Sequence, residues 1–249
     1  MLSDTLNFDP DRAAAYLEQG LWNNDTLSGW LSGHAARTPD APALISSSKT
    51  LSYAELKNDV DRLAYGLTGL GLVKGDVVAV QLPNIPEFLT TYLAIASFGG
   101  LMQTIHMPYG RSDIEFLLGH SGARVVISLA AFKEFPTQEI MLDCRRKLST
   151  LEHVIVLGPE AGKGVTGYTT LLRSAGPTIT DPPVGADPFL LLYTSGTTSN
   201  PKGVLLTYQN MMSNSRLSVE RFKVTGGDRI LSAAPVSYTH LTLPTNREV

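Results

Sequence analysis

Between Ser52 and Leu157 the chain repeats one local pattern: a short apolar run, a turn, then an amphipathic helix with its own start and stop signals. Ser52-Tyr53-Ala54-Glu55 has capping-box form, with a hydroxyl to accept a backbone N–H and a carboxylate placed to reach back. Leu56, Val60, Leu63, Leu67 and Leu70 then share one helical stripe, and Gly69 and Gly71 can end it. Val77–Leu82 reads as a buried strand, Pro86 opens a second helix, and Gly99-Gly100 stops it before a strand at Leu101–His106. Ser112-Asp113-Ile114-Glu115 predicts another capping box, on a helix that ends around Gly119–Gly122, with Arg124–Ser128 as the next strand. A helix over Gln138–Ser149 and a strand at Val154–Leu157 continue the series. Strands and helices in such alternation need crossover connections, so they predict an α/β fold: parallel sheets flanked by helices.

The ends of the chain read differently. Two helices are expected before the alternation begins, at about Asp11–Glu18 and Leu27–Arg37, and Trp22 and Trp30 suit aromatic packing there. The start, MLSDTLNFDPDR, is acidic where a signal peptide would be basic. Phe88–Gly110 is uncharged with His106 neutral, but it carries Thr90, Thr91, Ser97, Gln103 and Thr104. That composition fits a buried helix followed by a strand rather than a membrane span. The single cysteine, Cys144, excludes an internal disulfide and a cysteine-rich zinc site, and its spacing with Ile140 and Leu148 makes it a core side chain. A cytoplasmic protein without a membrane segment is the expectation. The net charge of −3 gives no basic excess of the kind that marks a nucleic-acid partner. His34, His106, His120 and His153 show no metal-ligand spacing.

After an irregular stretch, Ala161–Pro188, the strand Phe189–Tyr193 leads straight into Thr194-Ser195-Gly196-Thr197-Thr198-Ser199-Asn200-Pro201-Lys202-Gly203. Glycines let backbone N–H groups approach a ligand, hydroxyls donate to phosphate oxygens or ligate a hard cation, and lysine adds a positive charge. No Asp or Glu occurs from Pro188 to Val219. Composition alone is compatible with a flexible linker. The preceding buried strand and the Pro-Lys-Gly ending favour a polyphosphate cradle at the carboxyl end of a strand, where open α/β sheets place their ligands. Lys202 is followed by Gly203, so this is not a Walker loop, and Tyr193 stands where a nucleophile elbow needs glycine.

Tyr193–Val204, YTSGTTSNPKGV, closely resembles the AMP-binding signature of the ANL superfamily of adenylate-forming enzymes, with Ser199 where glycine is usual. LSYAEL at Leu51–Leu56, GDVVAVQLPN at Gly75–Asn84 and GGDRILSAAP at Gly226–Pro235 add to the resemblance. It implies an ATP-dependent acid–CoA ligase that forms an acyl-adenylate and then an acyl-CoA. Gly20-Leu21-Trp22 with Thr26-Leu27 points to the branch acting on medium-chain, alicyclic or aryl carboxylic acids. The resemblance assigns ATP-phosphate binding to Thr194, Ser195, Gly196, Thr197, Thr198, Lys202 and Gly203. It implies ATP, Mg²⁺ (with Thr194 as a contributor) and coenzyme A as co-substrate. A non-catalytic nucleotide-binding module and a carrier-loading adenylation domain are the alternatives.

The resemblance runs from about residue 11 to 235 and implies an incomplete N-terminal domain, residues 1–235, without catalytic residues and inactive alone. Val236–Val249, VSYTHLTLPTNREV, resembles the translation of a transposase-based sequencing adapter, so residues 236–249 are expected to be a non-native tail and His240 is assigned no role. A sheet strand is expected at Ile230–Ala233.

Overall fold

The computed structural model describes residues 9–158, 162–176, 179–194 and 201–232. Helices α1 (Pro10–Glu18) and α2 (Leu27–Arg37) lead into an antiparallel pair, β1 (Pro42–Ile45) and β2 (Thr50–Ser52). The alternating series follows: α3 (Tyr53–Gly69), β3 (Val77–Gln81), α4 (Pro86–Phe98), β4 (Leu101–Thr104), α5 (Arg111–Ser121), β5 (Val125–Leu129), α6 (Thr137–Lys147) and β6 (His153–Leu157). A short β7 (Thr166–Gly167) and α7 (Tyr168–Leu171) precede β8 (Pro188–Thr194), β9 (Lys202–Thr207) and α8 (Tyr208–Phe222).

Seven strands form one sheet in the order β7-β6-β5-β3-β4-β8-β9, parallel except for β9, which runs antiparallel to β8. Side chains alternate across this sheet as a pleated strand requires. Val78, Val80, Met102 and Phe189 join α3, α4 and Tyr208 of α8 in one core. Val77, Ala79, Leu101, Val126, Val154 and Leu191 join α5 and α6 in the other. Val60, Leu63 and Leu67 are fully buried, which is worth about 1.5–3 kcal/mol for each side chain. Helix α4 is buried nearly all round and stops at Gly99, whose φ of 77° suits glycine.

The fold is the expected mixed α/β, with differences in detail. Ser52 and Glu55 form the capping box, with Glu55 N–H donating to Ser52 Oγ at 3.2 Å and Ser52 N–H to Glu55 Oε2 at 2.8 Å. The expected box at Ser112–Glu115 is displaced: α5 begins at Arg111, and the Asp113 carboxylate accepts from Gly110 N–H at 3.1 Å. Asp113 stands three residues after Gly110, the same reach that Glu115 has from Ser112, so the earlier entry wins once the turn at Met107-Pro108 redirects the chain. The expected strand at Ile230–Ala233 is not formed at the described residues 230–232: Ile230 is 80% and Leu231 89% exposed, and no described strand pairs with them. Two antiparallel pairings accompany the parallel series, β8 with β9 and β1 with β2.

Cys144 is buried beside Ile140 and Met141, and burial pushes its thiol pKa up, as befits a core group rather than a nucleophile. No described helix is long and apolar enough to cross a membrane.

Candidate functional site

All parallel strands end on one edge of the sheet, and the chain leaves adjacent strands there for opposite faces: after β3 for α4, after β5 for α6. Such divergence opens a crevice at the carboxyl ends. A cavity of about 540 Å³ lies at this edge, lined by Met107, Pro108 and Tyr109 after β4 and by Phe132–Phe135 after β5. Its lining is apolar except for Lys133 and Glu134. At the same edge, Gln81 Nε2 at the end of β3 donates to the His106 carbonyl at 3.0 Å, tying the end of β3 to the segment after β4. His106 is itself buried, and that burial lowers its pKa, favouring the neutral ring. Motif reading did not find this cavity, because its lining residues carry no distinctive spacing and meet only through the crossover topology.

The glycine- and hydroxyl-rich segment leaves the same edge from β8. Phe189–Tyr193 are buried, a run long enough to hold the strand rigid, and Thr194 emerges into solvent. Ser195, Gly196, Thr197 and Thr198 lie outside the described residues. Thr194, Lys202 and Gly203 are placed at the two stems. Lys202 and Gly203 are the first residues of β9, not loop residues: Thr194 pairs with Lys202, and Tyr193 with Gly203. Thr194 Oγ1 donates to the Lys202 carbonyl at 3.5 Å, a long contact that keeps the hydroxyl beside the lysine backbone.

Gly203 has a packing reason to lack a side chain. A Cβ there would come within 3.1 Å of Leu191 Cδ1 and 3.5 Å of the Tyr193 ring. The Tyr193 phenol lies 2.8 Å from His120 Nδ1 of α5, and its burial pushes its pKa up to about 12. Sequence spacing gave no hint of this pair, which is 73 residues apart. Behind β9, Thr207 caps α8 by accepting from Asn210 N–H at 3.2 Å, while Asn210 Oδ1 accepts from Thr207 N–H at 2.9 Å.

An exposed hydroxyl and an exposed ammonium therefore stand together at the carboxyl edge, with no acidic residue near them in sequence. That donor set fits an anion rather than a cation. Among the described residues no group of three His, Cys, Asp or Glu side chains is placed to hold a metal ion.

Known proteins resemble this chain in sequence and in fold. The profile of the AMP-binding enzyme family matches residues 31–242, passing beyond Pro235. "Protein Y" of Streptomyces griseus is 35% identical over 205 residues, covering 81% of this chain and 67% of that protein. A medium-chain fatty-acid–CoA ligase of Escherichia coli is 26% identical over 246 residues, covering 94% of this chain and 42% of that protein. Among solved structures, apo MbtA of Mycobacterium smegmatis superposes with a TM-score of 0.88 at 29% identity, over 98% of this chain and 45% of MbtA. The chain thus spans about half the length of these last two proteins.

Proposed function

The chain belongs to the family of AMP-binding enzymes, and from that premise we propose that it supplies the ATP-phosphate site of an acid–CoA ligase whose complete machinery resides in a longer protein. The observation that carries this reading is the glycine-rich segment closed by the Thr194–Lys202 pair at the carboxyl edge of the sheet. In the proposed reaction a carboxylate attacks the α-phosphorus of ATP and pyrophosphate leaves. The coenzyme A thiol then attacks the acyl carbon and AMP departs. The leaving group carries several negative charges, so such a transfer depends on positioning and charge neutralisation.

Each residue has a defined task in this scheme. Lys202 sets its ammonium against the β- and γ-phosphates. Ser195, Thr197 and Thr198 donate hydroxyl hydrogens to the same oxygens, and Gly196 and Gly203 keep the backbone close. Thr194, exposed at the stem, would help to hold a phosphate-bound Mg²⁺, which would supply further charge neutralisation. Residues 1–235 form this unit, and acid selection and thioester formation belong to parts of the longer protein. Medium-chain, alicyclic and aryl acids are the proposed substrates. The test is carboxylate-dependent exchange of pyrophosphate into ATP by a protein that contains these residues, assayed across those acids. Exchange with at least one of them is the expected result, and none from well-folded protein overturns the reading. Release of AMP with free coenzyme A, and none with a carrier protein, separates the ligase from a carrier-loading enzyme.

A further inference from the structure

Tyr193 joins three parts of the molecule that the sequence keeps apart. Its backbone lies at the end of β8 and pairs with Gly203 at the start of β9. Its ring packs beneath Gly203, close enough that a Cβ there would touch Cε1 and Cζ at 3.5 Å. Its hydroxyl meets His120 Nδ1 at 2.8 Å, and the two rings stand edge to face at 5.6 Å. His120 is in turn stacked on Phe116 one helical turn earlier, with ring centroids 5.6 Å apart. Ile114, Leu117 and Leu118 fix α5 against the sheet, so the imidazole is carried by a well-anchored helix. Within the tie Tyr193 is buried, at 7% exposure, while His120 stands at the exposed surface of α5.

We propose that His120 is a positioning residue for the Thr194 and Lys202 stems, holding the Tyr193 ring so that they stand in register for a polyphosphate. This rests on the phosphate-binding reading of Thr194–Gly203. The imidazole Nδ1 and the phenol oxygen share one hydrogen, and the apolar contacts of α5 set where the ring nitrogen stands. Losing the hydrogen bond lets the ring and the Gly203 stem above it move together. The effect falls on binding of the phosphates rather than on any bond-making group, because His120 reaches the Thr194 and Lys202 stems only through Tyr193.

The test uses the 249-residue chain with His120→Ala, His120→Asn, Tyr193→Phe and the double variant His120→Ala/Tyr193→Phe. Asparagine can place an amide near the Nδ1 position and so restore a partner for the phenol. One readout is hydrogen exchange, comparing peptides over β8 and β9 with peptides over α6 and β6. The other is affinity for inorganic tripolyphosphate with Mg²⁺. Loss of one hydrogen bond predicts about five-fold faster exchange in the stems and about five-fold weaker tripolyphosphate binding in either single variant. The double variant should be no worse than the singles, since both remove one shared contact, and His120→Asn should recover most of the loss. Tyr193→Phe removes a single oxygen, so it keeps the test informative if His120→Ala fails to fold. Additive losses, equal exchange increases in α6 and β6, or unchanged stems overturn the inference. A wild-type chain with the expected exchange pattern but no tripolyphosphate binding overturns the phosphate-loop reading and the functional half of this inference with it, leaving the local tie in place.

Discussion

Lys202 is an exposed cation and Arg124 a half-buried one, and they are expected to matter in different ways. Lys202 sits at the open carboxyl edge on the first residue of β9. Lys202→Ala, introduced into a protein competent for pyrophosphate exchange, should raise the barrier to adenylate formation by roughly 2–4 kcal/mol while leaving the melting temperature nearly unchanged. Full exchange activity in that variant would remove Lys202 from the phosphate site. Arg124 stands at the opposite edge. It donates to both Glu152 oxygens, at 3.0 and 2.6 Å, to Asp76 Oδ2 at 2.5 Å and to the Gly71 carbonyl at 3.2 Å, so it joins the amino ends of β3, β5 and β6. The hydrogen bonds from Arg124 hold the Glu152 carboxyl below its ordinary range. A carboxylate whose folded pKa is depressed contributes stability above its unfolded pKa, about 4.3, and that contribution disappears as pH falls through the lower folded value. Denaturant midpoints measured from pH 6 downward should therefore drop less in Glu152→Gln than in the parent. Because the pair is solvent-accessible, its contribution at neutral pH is at most about 1 kcal/mol. Identical pH slopes in the two proteins would rule out the pair as a source of acid sensitivity.

At the scale of elements, α3 carries two glycines that should respond in opposite directions. A Cβ on Gly66 would stand 2.8 Å from Leu171 Cβ and 3.0 Å from its carbonyl oxygen, where α7 crosses α3. At Gly69 the same atom meets nothing within 4 Å, and the helix conformation is ordinary. Gly66→Ala is therefore expected to destabilise by about 1–3 kcal/mol. Gly69→Ala should be neutral or stabilise by up to about 1 kcal/mol, through the helix propensity of alanine. Thermal or chemical unfolding checks both, and equal effects would mean that α7 gives way without cost.

These two elements also mark where the sequence was readable. Helix α3 was legible because a capping box, an apolar stripe and a terminal glycine all act within one stretch of chain. Helix α7 was not, since Tyr168–Leu171 is a single turn held by Thr91, the Glu87 carbonyl and Gly66, all distant in sequence. The same division holds at the candidate site. Thr194 stands at the end of a buried strand, as the local pattern predicts. That Lys202 and Gly203 begin an antiparallel strand, and that His120 braces Tyr193, depended on pairings across the sheet that no local pattern encodes.

For the molecule as a whole, the sheet order leaves β9 outermost among the described strands, with Val204 42% exposed. Helix α8 and the residues after it add Leu217 at 58%, Phe222 at 75%, Ile230 at 80% and Leu231 at 89% exposed. An open strand edge beside scattered large apolar side chains favours association. Sedimentation velocity should show the 249-residue chain associating as its concentration rises, and Phe222→Glu with Leu231→Lys should suppress this. Unchanged association would locate the sticky surface elsewhere. The proposed non-native tail, residues 236–249, leads to a separate expectation. A segment never selected to pack cannot stabilise the fold, so chains 1–235 and 1–249 should share one unfolding midpoint and one hydrogen-exchange pattern over β8, β9 and α8. The family profile reaches residue 242, which defines the opposite outcome. If residues 236–242 belong to the fold, their removal should lower the midpoint and speed exchange in the neighbouring elements. Comparing chains ending at 235, 242 and 249 separates the two cases. A loss of stability on cutting from 242 to 235 but not from 249 to 242 would put the native boundary at the end of the family match and overturn the assignment of the whole tail as foreign.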